Sequence, residues 1–214
     1  TIGPPACVGL KVFRNLDDLA RADVPDSLHF VGTVTPSRLV LQHVVATAVM
    51  VDRARQLGDV VIIDTTAVAS GVAGETLKYH KTELCRPQKI VALQRGEEME
   101  PVVGMLRRFL GADVVTAPTD PSLMPMSPDD RARRRTEGFA AALRAPLERW
   151  KVRPTVFAPT LPVGLNLSRL HGVLVGVQDS GGGLLGLGIL DHEDDGLRVL
   201  TNVGEGMTGL RLGS

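Results

Sequence analysis

Aromatic residues, cysteines and net charge are all scarce in this sequence, and each shortage closes off a class of function. One Trp, one Tyr and five Phe make up 3% of the 214 residues, too few for the base-stacking platform of an RRM-type domain. Two cysteines, Cys7 and Cys85, lack metal-type spacing and are expected as small reduced core residues without a disulfide. Lys and Arg total 24, as do Asp and Glu, so no overall field draws in nucleic acid or an anionic membrane. Any polyanion site has to be local. No apolar run approaches the roughly 20 residues of a membrane span and no signal-peptide pattern opens the chain, so no membrane role and a cytoplasmic setting are expected. His29, His43, His80, His171 and His192 are scattered without ligand spacing and read as structural, with no Cys-His cluster for zinc.

Hydrophobic residues make up 43% of the chain and charged ones 22%, enough apolar material for one large domain or two small ones. From Ser27 to about Ala158, short β-branched runs alternate with helical stretches: SLHFVGTV, PSRLVLQHVVATAVMVDRARQLG, DVVIIDTT, GETLKYHKTELC, KIVALQR, EPVVGMLRRFLG, DVVTAPT. This is the rhythm of βαβ units. Val60-Val61-Ile62-Ile63 is apolar without alternation, as expected of a parallel strand buried on both faces. The helix entered through Thr35-Pro36 is apolar nearly all round from Leu39 to Val51, so burial between sheet and neighbours is expected. Past Pro159 the texture turns glycine-rich, with short strands and turn signals at 179–183 (DSGGG) and 193–196 (EDDG), as in a small antiparallel barrel or sandwich. The fold class expected is α/β, a parallel-sheet domain over residues 1–158 followed by a small all-β domain over 159–214. Trp150 is expected to pack at the end of the helix before this boundary.

In sheets of this kind, sites lie at the carboxyl ends of strands. VVIIDTT puts Asp64, Thr65 and Thr66 at such an end, where P-loop NTPases keep a Mg²⁺-associated carboxylate and phosphate-sensing hydroxyls. The alternative is that Asp64 caps a loop or the next helix. In SGVAGETLKYHK, Gly71 and Gly74 allow close backbone approach to a ligand, and Lys78 and Lys81 share one helical face. A flexible loop with a solvated lysine pair is the alternative. In SPDDRARRRTEGF, Ser127 caps and Pro128 starts a helix, and Arg131, Arg134 and Arg135 fall on adjoining surface. Guanidinium forks hold phosphate and stabilise charge on a transferring phosphoryl group, which suits a lid; a solvated basic face is the other reading.

Together and in this order, these segments resemble the polynucleotide 5′-hydroxyl kinase family related to Clp1 and Grc3, particularly archaeal and bacterial members. IGPPACVGL is similar to the stretch after the family's Asp-x-Asp-x-Gly-Gln motif. Gly32, Thr33, Val34, Thr35 and Pro36 resemble its Gly-x-Thr-Ser-Pro turn. DTTAVASGVAGETLKYHK resembles its clasp, SPDDRARRR its arginine lid, and the glycine-rich tail its C-terminal β domain. Ala67 stands where the family commonly has Gly, and Val34 removes a hydroxyl. The phosphate-cradling pattern G-x-x-x-x-G-K followed by Ser or Thr has no match here: GVAGET has the wrong lysine position and GGGLLGLG is expected inside strands.

The resemblance places that P-loop unit upstream of Thr1, so a fragment lacking its nucleotide-binding strands, inactive alone, is expected. It implies ATP and Mg²⁺ for the complete protein, the 5′ end of RNA or DNA as substrate, and phosphoryl transfer from ATP to the 5′-hydroxyl. Arg131, Arg134 and Arg135 are then transition-state clamps, Thr65 and Thr66 position phosphate or substrate, and Asp64 orients them. Lys78 and Lys81, with Gly71, Gly74 and Thr35, belong to substrate binding. A non-catalytic scaffold in RNA processing is the alternative, and a P-loop NTPase of the partitioning or metal-insertion type ranks last.

Overall fold

Pro36 opens a short 3₁₀ turn, Pro36–Arg38, that leads into helix α1, Val40–Leu57. In the computed structural model, which describes residues 2–194 and 196–214, packing divides the chain into two units. One comprises Thr35–Arg131, the other the chain up to Val34 together with Ala132–Ser214.

Within the first unit, α1 buries Val44, Thr47, Met50, Val51 and Ala54, spaced three and four apart as one stripe. Leu41, Val45 and Val49 stay exposed at i, i+4 and i+8, which corrects the expectation of a helix enclosed all round. The buried stripe packs on α2, Gly71–Cys85. Then follow β3, Ile90–Gln94, α3, Glu100–Leu110, and β4, Val114–Pro118. These form a βαβ unit in which β3 and β4 run parallel with Ile90 opposite Val114. Helix α3 ends where Gly111 takes a left-handed conformation, and it covers one face of the pair through Val102, Val103 and Leu106 against Ala92 and Val114.

The other face of the pair is open, with Val91 57% and Leu93 59% exposed. The expected strand at Val60–Asp64 departs furthest from its sequence reading. It forms no ladder with any described strand, and Val60 and Ile62 are 80% and 89% exposed. A parallel strand is held by hydrogen-bonded neighbours and by cover on both faces. Without either, this stretch alternates, turning only Val61 and Ile63 partly inward.

In the second unit, β1, Cys7–Leu10, pairs antiparallel with β2, Ser27–Phe30. SLHFVGTV therefore does not begin the parallel series expected of it. Helix α4, Pro128–Ala142, carries the chain from the first unit into the second. It leads to five strands: β5, Glu148–Val152, β6, Leu174–Gln178, β7, Leu184–Glu193, β8, Gly196–Thr201, and β9, Gly209–Leu212. They make one antiparallel sheet in the order β5-β8-β7-β6-β9. Its core is Val175, Val177, Leu190, Val199 and Leu210, none of them exposed.

The β6–β7 turn is built as the sequence suggests: Asp179 Oδ1 accepts from the backbone N–H of Gly181 and of Gly183, each at 2.8 Å. In the turn after β7, Asp195 lies outside the described residues. Trp150 sits on β5 rather than on a helix, its ring so close to Gly204 that a Cβ there would lie 2.1 Å from the indole nitrogen. The division expected at residue 158 passes through this sheet, since β5 precedes it and β6 to β9 follow. Both cysteines are free thiols; Cys85 is buried, and burial pushes the Cys7 thiol up to about 12.

Truncating the centre of this core leaves a cavity that its neighbours cannot fill. Leu190→Ala is expected to lower unfolding stability by about 2–5 kcal/mol in urea titration, whereas Val163→Ala, on a fully exposed side chain, is expected to stay within about 0.5 kcal/mol.

Candidate functional site

Asp64, Thr65 and Thr66 end the extended stretch, and α2 begins five residues later at Gly71 with φ +70°. Ser70 at the N-cap makes no side-chain cap bond. Asp64 therefore does not cap this helix. Two turns into α2, Lys78 reaches back and ties the tip down. Its Nζ donates to Thr65 Oγ1 at 2.6 Å and to the Thr66 carbonyl at 2.5 Å. Gly74 lets the loop lie flat on the helix, because a Cβ there would stand 3.0 Å from the Ala69 carbonyl carbon.

The tip borders a cavity of about 730 Å³ that Thr47, Thr66, Ser70, Lys78 and Lys81 also line, with an apolar remainder from β3 and α3. Lys81 is only 7% exposed. It has no hydrogen-bond or ion-pair partner among the described residues. Burial, reinforced by Lys78, pushes its ammonium down to about 8. Burial also lowers Lys78, and Asp64 opposes that shift. On α1, His43 is pushed down to about 4 by burial and by the two lysines, which keeps its imidazole neutral. Thr66 Oγ1 and His43 Nδ1 are enclosed without a hydrogen-bond partner among the described residues. The two lysines differ in burial: Lys81 is buried, whereas Lys78 is half-buried and bound to the tip, with Asp64 the carboxylate that acts on it.

The family described as mRNA cleavage and polyadenylation factor CLP1 P-loop matches residues 1–141. The chain belongs to this family. It is similar to a polyribonucleotide 5′-hydroxyl-kinase of Pyrococcus horikoshii, 36% identical over 107 residues, which is 48% of this chain and 28% of that protein. A polyribonucleotide 5′-hydroxyl-kinase of Thermococcus kodakarensis is 31% identical over 127 residues, 55% of this chain and 35% of that protein. The aligned stretch thus spans about a third or less of either relative's own length. Among solved structures, a Clp1p–Pcf11p complex aligns with a TM-score of 0.59 at 13% identity, covering 88% of this chain and 55% of that one. A second, concerned with an extended Pcf11p–Clp1p interface and with ATP loss in a point mutant, gives 0.62 at 12% identity over 100% of this chain and 64% of that one. These establish the fold: a parallel pair with its helices, and an antiparallel all-β sheet in the C-terminal part.

In this CLP1 P-loop family member, the clasp residues named from sequence fall in one unit. Asp64, Thr65 and Thr66 form the tip, Gly71 and Gly74 shape its join to α2, and Lys78 and Lys81 point into the cavity. Thr35 lies in the same unit at the head of the 3₁₀ turn, without a side-chain cap bond. Ser127 caps α4 as expected, its Oγ accepting from the Asp130 N–H at 3.0 Å. Arg131 ends the first unit and donates from Nη1 to the Met126 carbonyl at 2.7 Å. Arg134 and Arg135 belong to the second unit and are exposed, with no hydrogen-bond or ion-pair partner among the described residues. His43 and Thr47 were not singled out in the sequence. Their spacing of four places both on the α1 face toward α2, and Thr47 Oγ1 donates to the His43 carbonyl at 2.8 Å.

An ammonium whose folded value, about 8, lies below its ordinary 10.5 opposes folding fully below pH 8, where folded and unfolded chains are both protonated. That opposition fades as pH rises from 8 to 10.5, because the unfolded chain then binds more protons. Lys81→Met, of similar length and uncharged, is expected to raise stability at pH 7 by up to about 3 kcal/mol. It should also flatten the rise that denaturant titrations of the unsubstituted protein show between pH 8 and 10.5.

Proposed function

We propose that this chain is the clasp and lid portion of an ATP-dependent polynucleotide 5′-hydroxyl kinase that acts on the 5′ end of RNA or DNA. The observation that carries this is the Asp64–Thr66 tip, lashed down by Lys78 beside a buried, unpaired Lys81, in a chain related to polyribonucleotide 5′-hydroxyl-kinases. The reaction is in-line attack of the 5′-hydroxyl oxygen on the γ-phosphorus of ATP: the new P–O bond forms, the bond to the β-phosphate oxygen breaks, ADP leaves, and the hydroxyl proton passes to a base. Catalysis of such transfers is positioning plus charge stabilisation.

Thr65 and Thr66 supply hydroxyls at the tip for positioning phosphate or substrate, and Asp64 orients them through its field on Lys78. Lys78 and Lys81 are contacts for the polynucleotide backbone, with Gly71, Gly74 and Thr35 shaping their surroundings. Arg131, Arg134 and Arg135 supply guanidinium groups for charge on the transferring phosphoryl, a use their exposure permits. Mg²⁺ does not fit the residues of this chain. Asp64 stands under the influence of Lys78, and the oxygens of Glu98, the cavity's other carboxylate, accept from the Arg95 and Gly96 N–H groups. We assign the metal, the attacking hydroxyl's base and the nucleotide cradle to other parts of the complete protein, since the open face of β3–β4 and the unpaired Val60–Ile63 call for further strands.

In the full-length protein, Arg131→Ala combined with Arg135→Ala is expected to lower kcat by about 10³-fold, with KM for a 5′-hydroxyl oligonucleotide moving far less. Steady-state transfer of labelled γ-phosphate measures both. Unchanged turnover would remove the lid from the mechanism.

A further inference from the structure

Beyond Arg131, helix α4 is held at one end. Residues 132–137 are exposed, and packing begins at Gly138, Phe139, Ala142 and Leu143, which are half-buried and fall into two pairs spaced by four. Two contacts fix this end. At Gly138 the helix lies so close to the ring of Pro5 that a Cβ would stand 2.9 Å from both Pro5 Cγ and Cδ. One turn on, Asn202 Nδ2 donates to the carbonyls of Ala142 and Arg144, each at 3.2 Å, serving acceptors of the kind a helix leaves unpaired where it stops. Both partners are anchored in turn. Ala6, next to Pro5, is buried, and its carbonyl accepts from the N–H groups of Val31 and Gly32. Thr201, next to Asn202, is fully buried; its Oγ1 donates to the Leu187 carbonyl of β7 at 2.7 Å and accepts from the Val203 N–H at 3.2 Å. The Asn202 amide has one usable orientation, because turned over it would set its oxygen against two carbonyl oxygens. Its Oδ1 is left enclosed without a hydrogen-bond partner among the described residues.

Glycine is a poor helix former, so position 138 weakens α4 at the place where the proline approaches. Arg134 and Arg135 stand four and three residues before it, on the helical face that meets Pro5. They make no hydrogen bond or ion pair among the described residues, so the roll and tilt of the helix end alone place them. We propose that Gly138 and Asn202 are positioning residues of the phosphoryl transfer: with Pro5 they clamp the end of α4, so that Arg134 and Arg135 are presented by a rigid arm and not by a mobile flap. The catalytic use of the clamp rests on the kinase reading, while the clamp itself stands on these contacts. It gives the antiparallel sheet a part in the reaction, since Thr201 ends β8 and fixes Asn202. Neither positioning residue touches substrate in this role. Both act through the arginines, whose charge counts most where charge develops on the transferring group, so their loss falls on kcat more than on KM.

Backbone N–H residual dipolar couplings of the full-length protein report the direction of residues 132–142 against β5 to β9, and steady-state transfer of labelled γ-phosphate reports turnover. In the unsubstituted protein, helix and sheet are expected to fit one alignment frame. Gly138→Ala is expected to turn the helix out of that frame and to lower kcat about 10²-fold, the scale of a misplacement of roughly 1 Å, with KM for a 5′-hydroxyl oligonucleotide moving far less. Adding Pro5→Ala, which removes the Cγ and Cδ atoms that the new methyl meets, is expected to restore both the frame and most of the turnover. A residue that only stabilised the fold would not behave so, because alanine is the better helix former at 138. Asn202→Ala is expected to act in the same direction and Asn202→Asp more strongly, since a carboxylate only accepts and would face two carbonyls. A helix that keeps its direction in both Gly138→Ala and Asn202→Asp overturns the clamp, and a helix that turns while kcat holds overturns its role in the reaction. Displacement and rescue of the helix in a protein that transfers no phosphoryl group support the clamp and overturn the kinase; unaltered turnover with an unmoved helix does the reverse.

Discussion

The grip of Lys78 on the tip is the interaction around which the Thr35–Arg131 unit is organised. In an ordinary parallel sheet, the end of a strand is placed by the ladder bonds on either side of it. Here the stretch before Asp64 has no such ladder, and the ammonium of Lys78, bound to the Thr65 hydroxyl and the Thr66 carbonyl, supplies what the sheet does not. The tie works because α2 is fixed first. Leu77 is fully buried and Cys85 nearly so, and Gly74 admits the incoming loop at contact distance. Substituting a long charged side chain for backbone pairing has a consequence. The tip is held from the helix side, and the cavity it borders stays lined by Thr66, Lys78 and Lys81.

Electrostatics then follows from packing. Once α1 and α2 are pressed together, the helical face that presents Lys78 to the tip presents Lys81 to the interior three residues later, and His43 and Thr47 face both from α1. Burial lowers Lys81 and His43 together, but with different outcomes. The imidazole becomes a neutral spacer across the physiological range, whereas the ammonium stays a cation below pH 8. A site that keeps a buried cation such as Lys81 beside the half-buried Lys78 interacts more strongly with an anion than a solvated lysine does. Arg131, Arg134 and Arg135, for which a lid role is proposed, lie at the other extreme, exposed on a helix with no buried residue, where fork geometry rather than dielectric surroundings suits them to phosphate.

Much of this was legible in the sequence, and the failures share a cause. The cap at Ser127, the left-handed stop at Gly111, the βαβ order of β3, α3 and β4, and the Asp179 turn are local features, set by residues within a few positions of one another. The segments were named by their order along the chain; Asp64, Thr65 and Thr66 form one tip, to which Lys78 of α2 is bound. What misled was partner-dependent. Val60–Ile63 has the composition of a central strand, yet composition does not show whether neighbours are present, and here the stretch stays unpaired. SLHFVGTV also reads as the start of the parallel series, yet its Ser27–Phe30 pairs antiparallel with Cys7–Leu10. Trp150 was read as helical because α4 precedes it, whereas Gly204, 54 residues away, makes the flat place its ring needs on the sheet. His43 reads as structural in the sequence because it lacks ligand spacing, and its place beside Lys78 and Lys81 depends on the packing of α1 against α2.

The account stands or falls on whether Lys78 orders the tip. Threonine methyl order parameters from NMR relaxation report that directly for Thr65 and Thr66, in the unsubstituted protein and in Lys78→Met. Values typical of a rigid core for both methyls, falling steeply in the variant while threonine methyls of the antiparallel sheet such as Thr201 hold steady, are the expected result. Methyls at 65 and 66 equally rigid, or equally loose, with and without the lysine would contradict it.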